Sequence, residues 1–317
     1  MERSVTVVIT TRNRRDLLQE AVRSVLVQRP FLVIVDDASS DDTSAWLSDQ
    51  RGDDVTVEAL STRVGLPAAR NVGLAHVHTP FVLFLDDDDL LMGGALARLA
   101  VLLDRYPSAV AAVGGRVRFG ADGPIDAAPA ARREFARAIH RDVVFGWAAI
   151  SGQTLFRRSA LMAAGRWNAA YDRVAEDQEL WLRLSLLGPV AFHPGPVLWN
   201  RVHSGQARPD DVRQVEDRMR EAHVRTSVAA SCTRDRSIVT ARAHQLRAID
   251  CYGAGQPSSA IPPLLVAVMR APWIMSSPVT RRSAWGLLGR CVAASILGRR
   301  FLGRLRQARG SVRRAIS

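Results

Sequence analysis

The chain predicts an α/β fold: a mixed, mainly parallel sheet with helices on both faces, followed by a helical C-terminal appendage. Three observations predict it. Apolar, β-branched runs alternate with helix-spaced segments through the first third, the run from Phe81 to Leu85 shows no polar alternation, and two of the runs stop at clusters of aspartate. Strands buried on both faces read as continuous apolar runs, and strand–helix alternation is the pattern of a parallel sheet covered on both sides. At 317 residues, 47% of them hydrophobic and 23% charged, the chain can bury a large core.

Val5 to Thr10 is the first strand, and Asp16 to Gln28 carries Leu17, Leu18, Ala21, Val22 and Val25 at helical spacing. Phe31 to Val35 is the second strand and stops at Asp36-Asp37. Asp41 or Asp42 can cap the helix over Thr43 to Leu47. Val55 to Ala59 is a short third strand, Ala68 to His76 a helix, and Phe81 to Leu85 a buried strand. Leu96 to Leu103 continues as a helix and Ala109 to Phe119 as a strand. Ala121 to Pro129 reads as a Gly/Pro/Ala-rich excursion, Val143 to Phe156 as strand–loop–strand, and Asp177 to Leu187 as a helix. Near Gly205 the pattern changes to Arg-rich helices, and Pro257, Pro262, Pro263, Pro272 and Pro278 break the remaining chain into short pieces. The organisation is therefore an α/β domain over 1–205 and a helical, Arg-rich region over 206–317.

The formal net charge is +12, and every Lys or Arg is arginine. Beyond Asp250 there is no acidic residue, so the C-terminal region favours anionic surfaces. Trp285, Leu288, Val292 and Ile296 form an apolar stripe there, suited either to a membrane interface or to packing on the first domain. A nucleic-acid partner is not expected, because interleaved aromatics and a reader module are both missing. Cys232, Cys251 and Cys291 lack metal-ligand spacing and read as reduced thiols. With no signal-peptide pattern and no spanning apolar stretch, the expected location is cytoplasmic, with peripheral contact on the inner face of the membrane as an option.

Phe81 to Leu85 runs into four consecutive aspartates, Asp86 to Asp89. Crowded carboxylates repel and push one another toward protonation, so a cation belongs beside them. Mg²⁺ and Mn²⁺ take carboxylate and phosphate oxygens. A solvated acidic loop is the alternative. The second cluster, Thr10-Thr11-Arg12-Asn13-Arg14 with Asp36-Asp37-Ala38-Ser39-Ser40-Asp41, offers short polar groups at strand ends. They can clamp a base and ribose, or act as caps and turns. In open sheets of this kind ligands bind beyond the carboxyl ends of the strands.

Taken together, these segments resemble the family 2 glycosyltransferases and their GT-A, Rossmann-like nucleotide-diphospho-sugar architecture. The landmarks, in order, are the Thr-x-x-Asn strand end, Asp36-Asp37-Ala38-Ser39-Ser40-Asp41, the Gly65 to Gly73 segment, Leu85 to Asp89, Glu176-Asp177, and Arg201-Val202-His203. The resemblance implies that Thr10, Arg12 and Asp37 form the nucleoside pocket, with Asp37 facing the base. It puts Arg70 and Asn71 near the ribose or the donor sugar. Asp86 and Asp88 become the Asp-x-Asp pair: Asp88 ligates the metal, and Asp86 contacts the ribose or a metal-bound water. His203 becomes a second metal ligand or a diphosphate contact. Position 12 often holds an aromatic in the family, whereas here it is arginine, which leaves the base identity open; uridine diphosphate sugars are favoured and thymidine-linked ones come next.

The implied reaction breaks a sugar–phosphate bond and needs a divalent cation, Mn²⁺ or Mg²⁺, on the leaving diphosphate. The acceptor hydroxyl needs a base, and Asp177 is the candidate; as an alternative it is the cap of the following helix. An in-line displacement would invert the anomeric carbon. A non-catalytic nucleotide-sugar-binding or membrane-adaptor protein on the same scaffold is the competing function. Trp147 is the best acceptor-side aromatic, and Ser151 has no convincing partner for nucleophilic chemistry.

Overall fold

The computed structural model describes residues 4–144, 147–172, 176–203 and 256–270. The chain forms two compact units, Met1–Arg218 and Met219–Ser317.

The first unit is built on one sheet in the order β3-β2-β1-β4-β9-β6-β10-β5. β1 (Val5–Thr11) lies between β2 (Phe31–Asp36) and β4 (Phe81–Asp86), parallel to both, and β3 (Val55–Ala59) continues in parallel beside β2. The connections α1 (Arg15–Leu26), α2 (Thr43–Ser48) and α3 (Leu66–Ala75) are helical, as the periodicity predicts. Because β1 leads to β2 on one side while β4 returns on its other side, the strand order reverses at β1. That switch point opens a crevice at the carboxyl ends, where Thr10, Asp36 and Asp86 lie within one residue of each other in register.

Alternation fixes the two faces. Val7, Ile9, Leu32, Ile34, Leu83 and Leu85 pack with Leu18, Val22 and Val25 of α1, Leu47 of α2, and Leu99 and Leu102 of α4 (Ala95–Arg105). On the other face Gly73 of α3 sits against Val8 and Val35, so close that a Cβ would lie 2.4 Å from Val8 Cγ1. Phe84 meets Trp167 edge-on at 5.3 Å, and Phe156 packs on Trp181 at 5.8 Å.

Beyond α4 the structure departs from the sequence reading. β6 (Ala111–Gly120) turns back as β7 (Gly123–Ala128), so the supposed excursion is the return strand of a hairpin. In place of strand–loop–strand over 143–156 there are α5 (His140–Val144), a 3₁₀ turn (Ser151–Gln153) and β9 (Thr154–Arg157). β9 is antiparallel to both β4 and β6 and makes the sheet mixed. β10 (Val190–Arg201) runs parallel to β6 with register shifts around Pro196. Its Pro194-Gly195-Pro196 interruption argues against a strand in sequence, since proline removes a ladder donor, and the irregular pairing is how the sheet accommodates it. β5 (Leu90–Leu91) and β8 (Phe135–Arg137) both pair with β10, while α6 (Arg158–Ala163) and α7 (Glu176–Leu187) complete this unit.

In the second unit, α8 (Pro257–Arg270) is continuous through Pro262 and Pro263, where the sequence reading expects breaks. Pro257 occupies the first helical position, where its missing N–H costs nothing, and Ala260 and Leu264 are buried on one side. The stripe from Trp285 to Ile296 and the three cysteines lie outside the described residues. Among the described residues, no helix is long and apolar enough to cross a membrane.

Candidate active site

A cleft of about 250 Å³ lies at the carboxyl ends of β1 and β2, lined by Thr10, Arg12, Arg14, Asp37, Arg63 and Asp87 among others. Two residues in left-handed backbone shape its rim, Asn13 at φ 55° and Ala38 at φ 58°. The Asn13 side chain accepts the Ser40 N–H at 2.7 Å and its own N–H donates to Ser39 Oγ at 2.9 Å, tying the two loops together. Asp37 is buried and accepts N–H bonds from Val64 at 2.7 Å and Gly65 at 3.0 Å. Asp172 accepts the next amide, Leu66 N–H, at 3.0 Å. Gly65 adopts φ 88°, and a Cβ there would lie 2.7 Å from Asp172 Cγ, so glycine is required between the two carboxylates.

The four consecutive aspartates have four different environments. Asp86 accepts from Arg70 Nη2 at 2.8 Å. Asp87 accepts from Thr11 Oγ1 at 2.8 Å and from Arg14 at 3.0 Å, and burial, only partly offset by Arg14, pushes its carboxyl up to about 6. Asp88 Oδ2 takes Arg14 at 3.1 Å and lies 3.1 Å from His203 Nε2. Asp89 accepts Asn200 Nδ2 at 3.0 and 3.1 Å and Arg201 N–H at 2.8 Å. Burial and the charges of Asp86 and Asp88 push its carboxyl up to about 8. Oxygens of Asp86, Asp88 and Asp89 fall within 4.8 Å of one another. Hard oxygen donors at that spacing, with protonation favoured on the neighbouring carboxyls, are a donor set that suits a divalent cation.

α7 brings the third group. Glu176 and Asp177 lie in the first turn of this helix, which the sequence reading starts at Asp177. Asp177 Oδ1 accepts from Ser151 Oγ at 2.7 Å and stands 3.7 Å from Arg70 Nη1. Arg70 is 2% exposed and lies over the Trp167 ring at 4.4 Å. Burial raises the Asp177 carboxyl, with Arg70 and Ser151 opposing. Glu176 is pushed up to about 7, by burial first and then by the charge of Asp177.

Of the residues named from sequence, Thr10, Arg12 and Asp37 share the cleft, and Asp86, Arg70 and Asp177 form one chain of contacts. Asp88 and His203 are in contact at the end of the acidic run. Asn71 is turned elsewhere: its amide donates to Trp167 O at 2.8 Å and accepts Trp167 N–H at 3.0 Å, which holds the Trp167 segment against α3. Trp147, half-buried, packs edge-on against Trp181 at 5.3 Å and Phe192 at 5.8 Å. Ser151 gains the partner that sequence did not suggest. Arg14 and Asn200 were also missed, because their partners lie 73 and 111 residues away along the chain.

Residues 6–165, half of the chain, match the model of Glycosyl transferase family 2. The chain belongs to that family. Curated relatives of this family 2 protein include a GalNAc(5)-diNAcBac-PP-undecaprenol beta-1,3-glucosyltransferase of Campylobacter jejuni, 37% identical over 101 residues, which are 30% of this chain and 33% of that protein. The succinoglycan biosynthesis protein ExoU of Rhizobium meliloti is 32% identical over 99 residues, 30% of this chain and 29% of its own. The matches therefore span about a third of each relative's length. Among solved structures, S. aureus TarS 1-349 in complex with UDP-GlcNAc superposes with a TM-score of 0.64 over 90% of this chain and 88% of TarS, at 18% identity. That likeness bears out the GT-A fold read from sequence, and the family match bears out the enzyme class, a glycosyltransferase.

Proposed function

We propose that the chain is a metal-dependent, inverting glycosyltransferase that moves a sugar from a nucleoside diphosphate to an acceptor hydroxyl. The observation that carries this reading is one buried guanidinium, Arg70, facing both Asp86 of the acidic run and Asp177 at the head of α7. It links a donor-side carboxylate to the proposed base through one side chain.

In this reading Thr10, Arg12 and Asp37 hold the nucleoside, with Asp37 also fixing the 64–65 backbone beside it. Arg70 stays with Asp86 near the ribose and the donor sugar, and Asn71 acts indirectly through the Trp167 segment. Asp88 and His203 would hold Mn²⁺ or Mg²⁺, which when bound neutralises charge on the departing diphosphate. Asp177 receives the acceptor proton as the sugar's anomeric carbon exchanges its phosphate oxygen for the acceptor oxygen. Attack opposite the leaving group inverts that carbon. A carboxyl raised by burial is a stronger base than a solvated one, which suits a neutral hydroxyl.

A uridine diphosphate sugar is the first-choice donor, supported by TarS in complex with UDP-GlcNAc; thymidine-linked donors come next. The names of the two relatives support a cell-envelope or polysaccharide acceptor, lipid-linked in the first case. We assign catalysis to 1–205 and assign to 206–317 peripheral contact with the membrane's inner face through the arginine-rich terminus.

Thermal unfolding of the purified protein against a panel of nucleotide-sugars, with and without Mn²⁺, tests this reading. The expected result is stabilisation by one donor class that grows with metal, because a ligand bound only to the folded state raises its stability. Nucleotide binding without donor turnover in any acceptor extract would sink the catalytic reading in favour of the adaptor.

A further inference from the structure

One buried hydroxyl beside the proposed base has no role in the chemistry so far assigned. Ser151 is 1% exposed, and its Oγ donates to Oδ1 of Asp177 at 2.7 Å. A serine hydroxyl inside a protein could satisfy itself on a nearby backbone carbonyl; this one is aimed at a carboxylate 26 residues ahead. Its own position is held from two sides. Gly152 lies so near Leu198 and Leu85 that a Cβ would come within 3.1 and 3.4 Å of their methyls, fixing the turn against β10 and β4. From α7, Trp181 Nε1 donates to Ala149 O at 2.8 Å, pinning the same segment to the helix that carries Asp177, and Gln178 Nε2 donates to Val143 O in α5.

Arg70 Nη1 approaches the same Oδ1, at 3.7 Å. Both contacts therefore fall on one oxygen of the carboxylate. We infer that Ser151 is a positioning residue: its hydroxyl holds Oδ1 of Asp177 and leaves Oδ2 to take the acceptor proton. This inference rests on Asp177 being the base. In the transfer, the acceptor O–H bond breaks and its proton goes to Oδ2. The acceptor oxygen bonds the anomeric carbon, and the diphosphate leaves with the electron pair of the sugar–phosphate bond. Ser151 exchanges no proton, because its O–H is already donated to an oxygen that does not change partners. Without it the carboxylate can rotate about its Cβ–Cγ bond, and a base must sit within hydrogen-bond reach of the proton it takes.

The test has two arms run on wild type, Ser151→Ala, Ser151→Thr and Asp177→Asn. In the first, ¹³Cγ resonances of labelled aspartate are followed with pH, and the Asp177 signal is assigned by its loss in Asp177→Asn. Removing a hydrogen bond from the ionised form should move the Asp177 titration upward in Ser151→Ala, with Ser151→Thr returning toward wild type. An unchanged titration overturns the inference. In the second, UDP release from UDP-GlcNAc, UDP-glucose and UDP-galactose is measured with Mn²⁺. We expect kcat to fall on the order of tenfold in Ser151→Ala at unchanged donor KM, the size of one hydrogen bond to a charged group. If kcat and KM both hold while Asp177→Asn is inactive, positioning fails and the base stands. If Asp177→Asn turns over like wild type, the base assignment itself fails.

Discussion

Arg70 Nη1 lies 3.7 Å from Asp177 Oδ1 while the other terminal nitrogen of the same guanidinium donates to Asp86 at 2.8 Å. The group is almost fully buried and is stacked on Trp167. A planar fork can serve two carboxylates at once, and an ammonium in its place cannot reproduce that geometry.

Arg70→Met should therefore harm both stability and chemistry. Breaking a buried ion pair from one side costs about 3–5 kcal/mol, and because the Asp86 side chain is 39% exposed and can rehydrate, the low end near 3 is expected. Chemical denaturation would show it as a lower urea midpoint at constant slope. Arg70→Lys should recover much of the stability and little of the turnover. Equal recovery of both would mean that charge alone matters at this position.

Protonation gives a second, independent check. Asp87, Asp89 and Glu176 are raised to about 6, 8 and 7 by burial, well above where they titrate when unfolded. Between roughly pH 4 and 8 the folded state therefore holds protons that the unfolded state has lost, and stability falls as pH rises through that window. The metal-free protein should be more stable at pH 5.5 than at pH 8. Asp89→Asn should flatten the upper part of the curve. A divalent cation should stabilise more at pH 8, where the carboxyls are ionised. A metal-free stability that climbs steadily to pH 8 would contradict the environments described for these carboxyls.

Gly73→Ala probes the packing that seats the Arg70 helix. Alanine is the better helix former by about 1 kcal/mol. The added methyl would meet Val8 Cγ1 at 2.4 Å and Val35 Cγ2 at 3.2 Å, both on buried side chains of the sheet. Overpacking of this kind costs about 1–3 kcal/mol, so the clash should outweigh the propensity and lower the melting temperature. A rise would mean that α3 can slide on the sheet.

Much of this was readable in the residues. β1 to β4 and the helices between them follow from Val/Ile/Leu/Phe-rich runs and 3.6-residue spacing, and the ends of β2 and β4 carry the aspartates that the fold brings to the crevice. What local pattern could not reveal was long-range. β10 is disguised by Pro194 and Pro196, yet it delivers Asn200 and Arg201 to Asp89, and the chain just beyond it delivers His203 to Asp88. β9 inserts antiparallel between β4 and β6, a pairing with partners far away in the chain that its own residues do not announce. The acidic run was legible as a cluster; its division among four partners was not, because those partners come from other elements.

Asp88→Asn should separate cation binding from nucleoside binding. Asp88 lies with Asp86 and Asp89 among oxygens spaced for a hard cation, and its Oδ2 faces both Arg14 and His203. Replacing one carboxylate oxygen by an amide nitrogen keeps the size and removes a hard, anionic donor. Arg14, half freed, still has Asp87. The variant should fold, should match wild type in metal-free binding of uridine diphosphate, and should lose the additional stabilisation expected of Mn²⁺ in wild type. Turnover should fall at least on the order of 10²-fold, since electrostatic relief of a leaving group is among the largest contributions an active site makes. Isothermal titration of Mn²⁺ into each protein with uridine diphosphate present measures the difference directly. Wild-type Mn²⁺ affinity in the variant would move the cation away from Asp88 and onto the Asp86 and Asp89 oxygens.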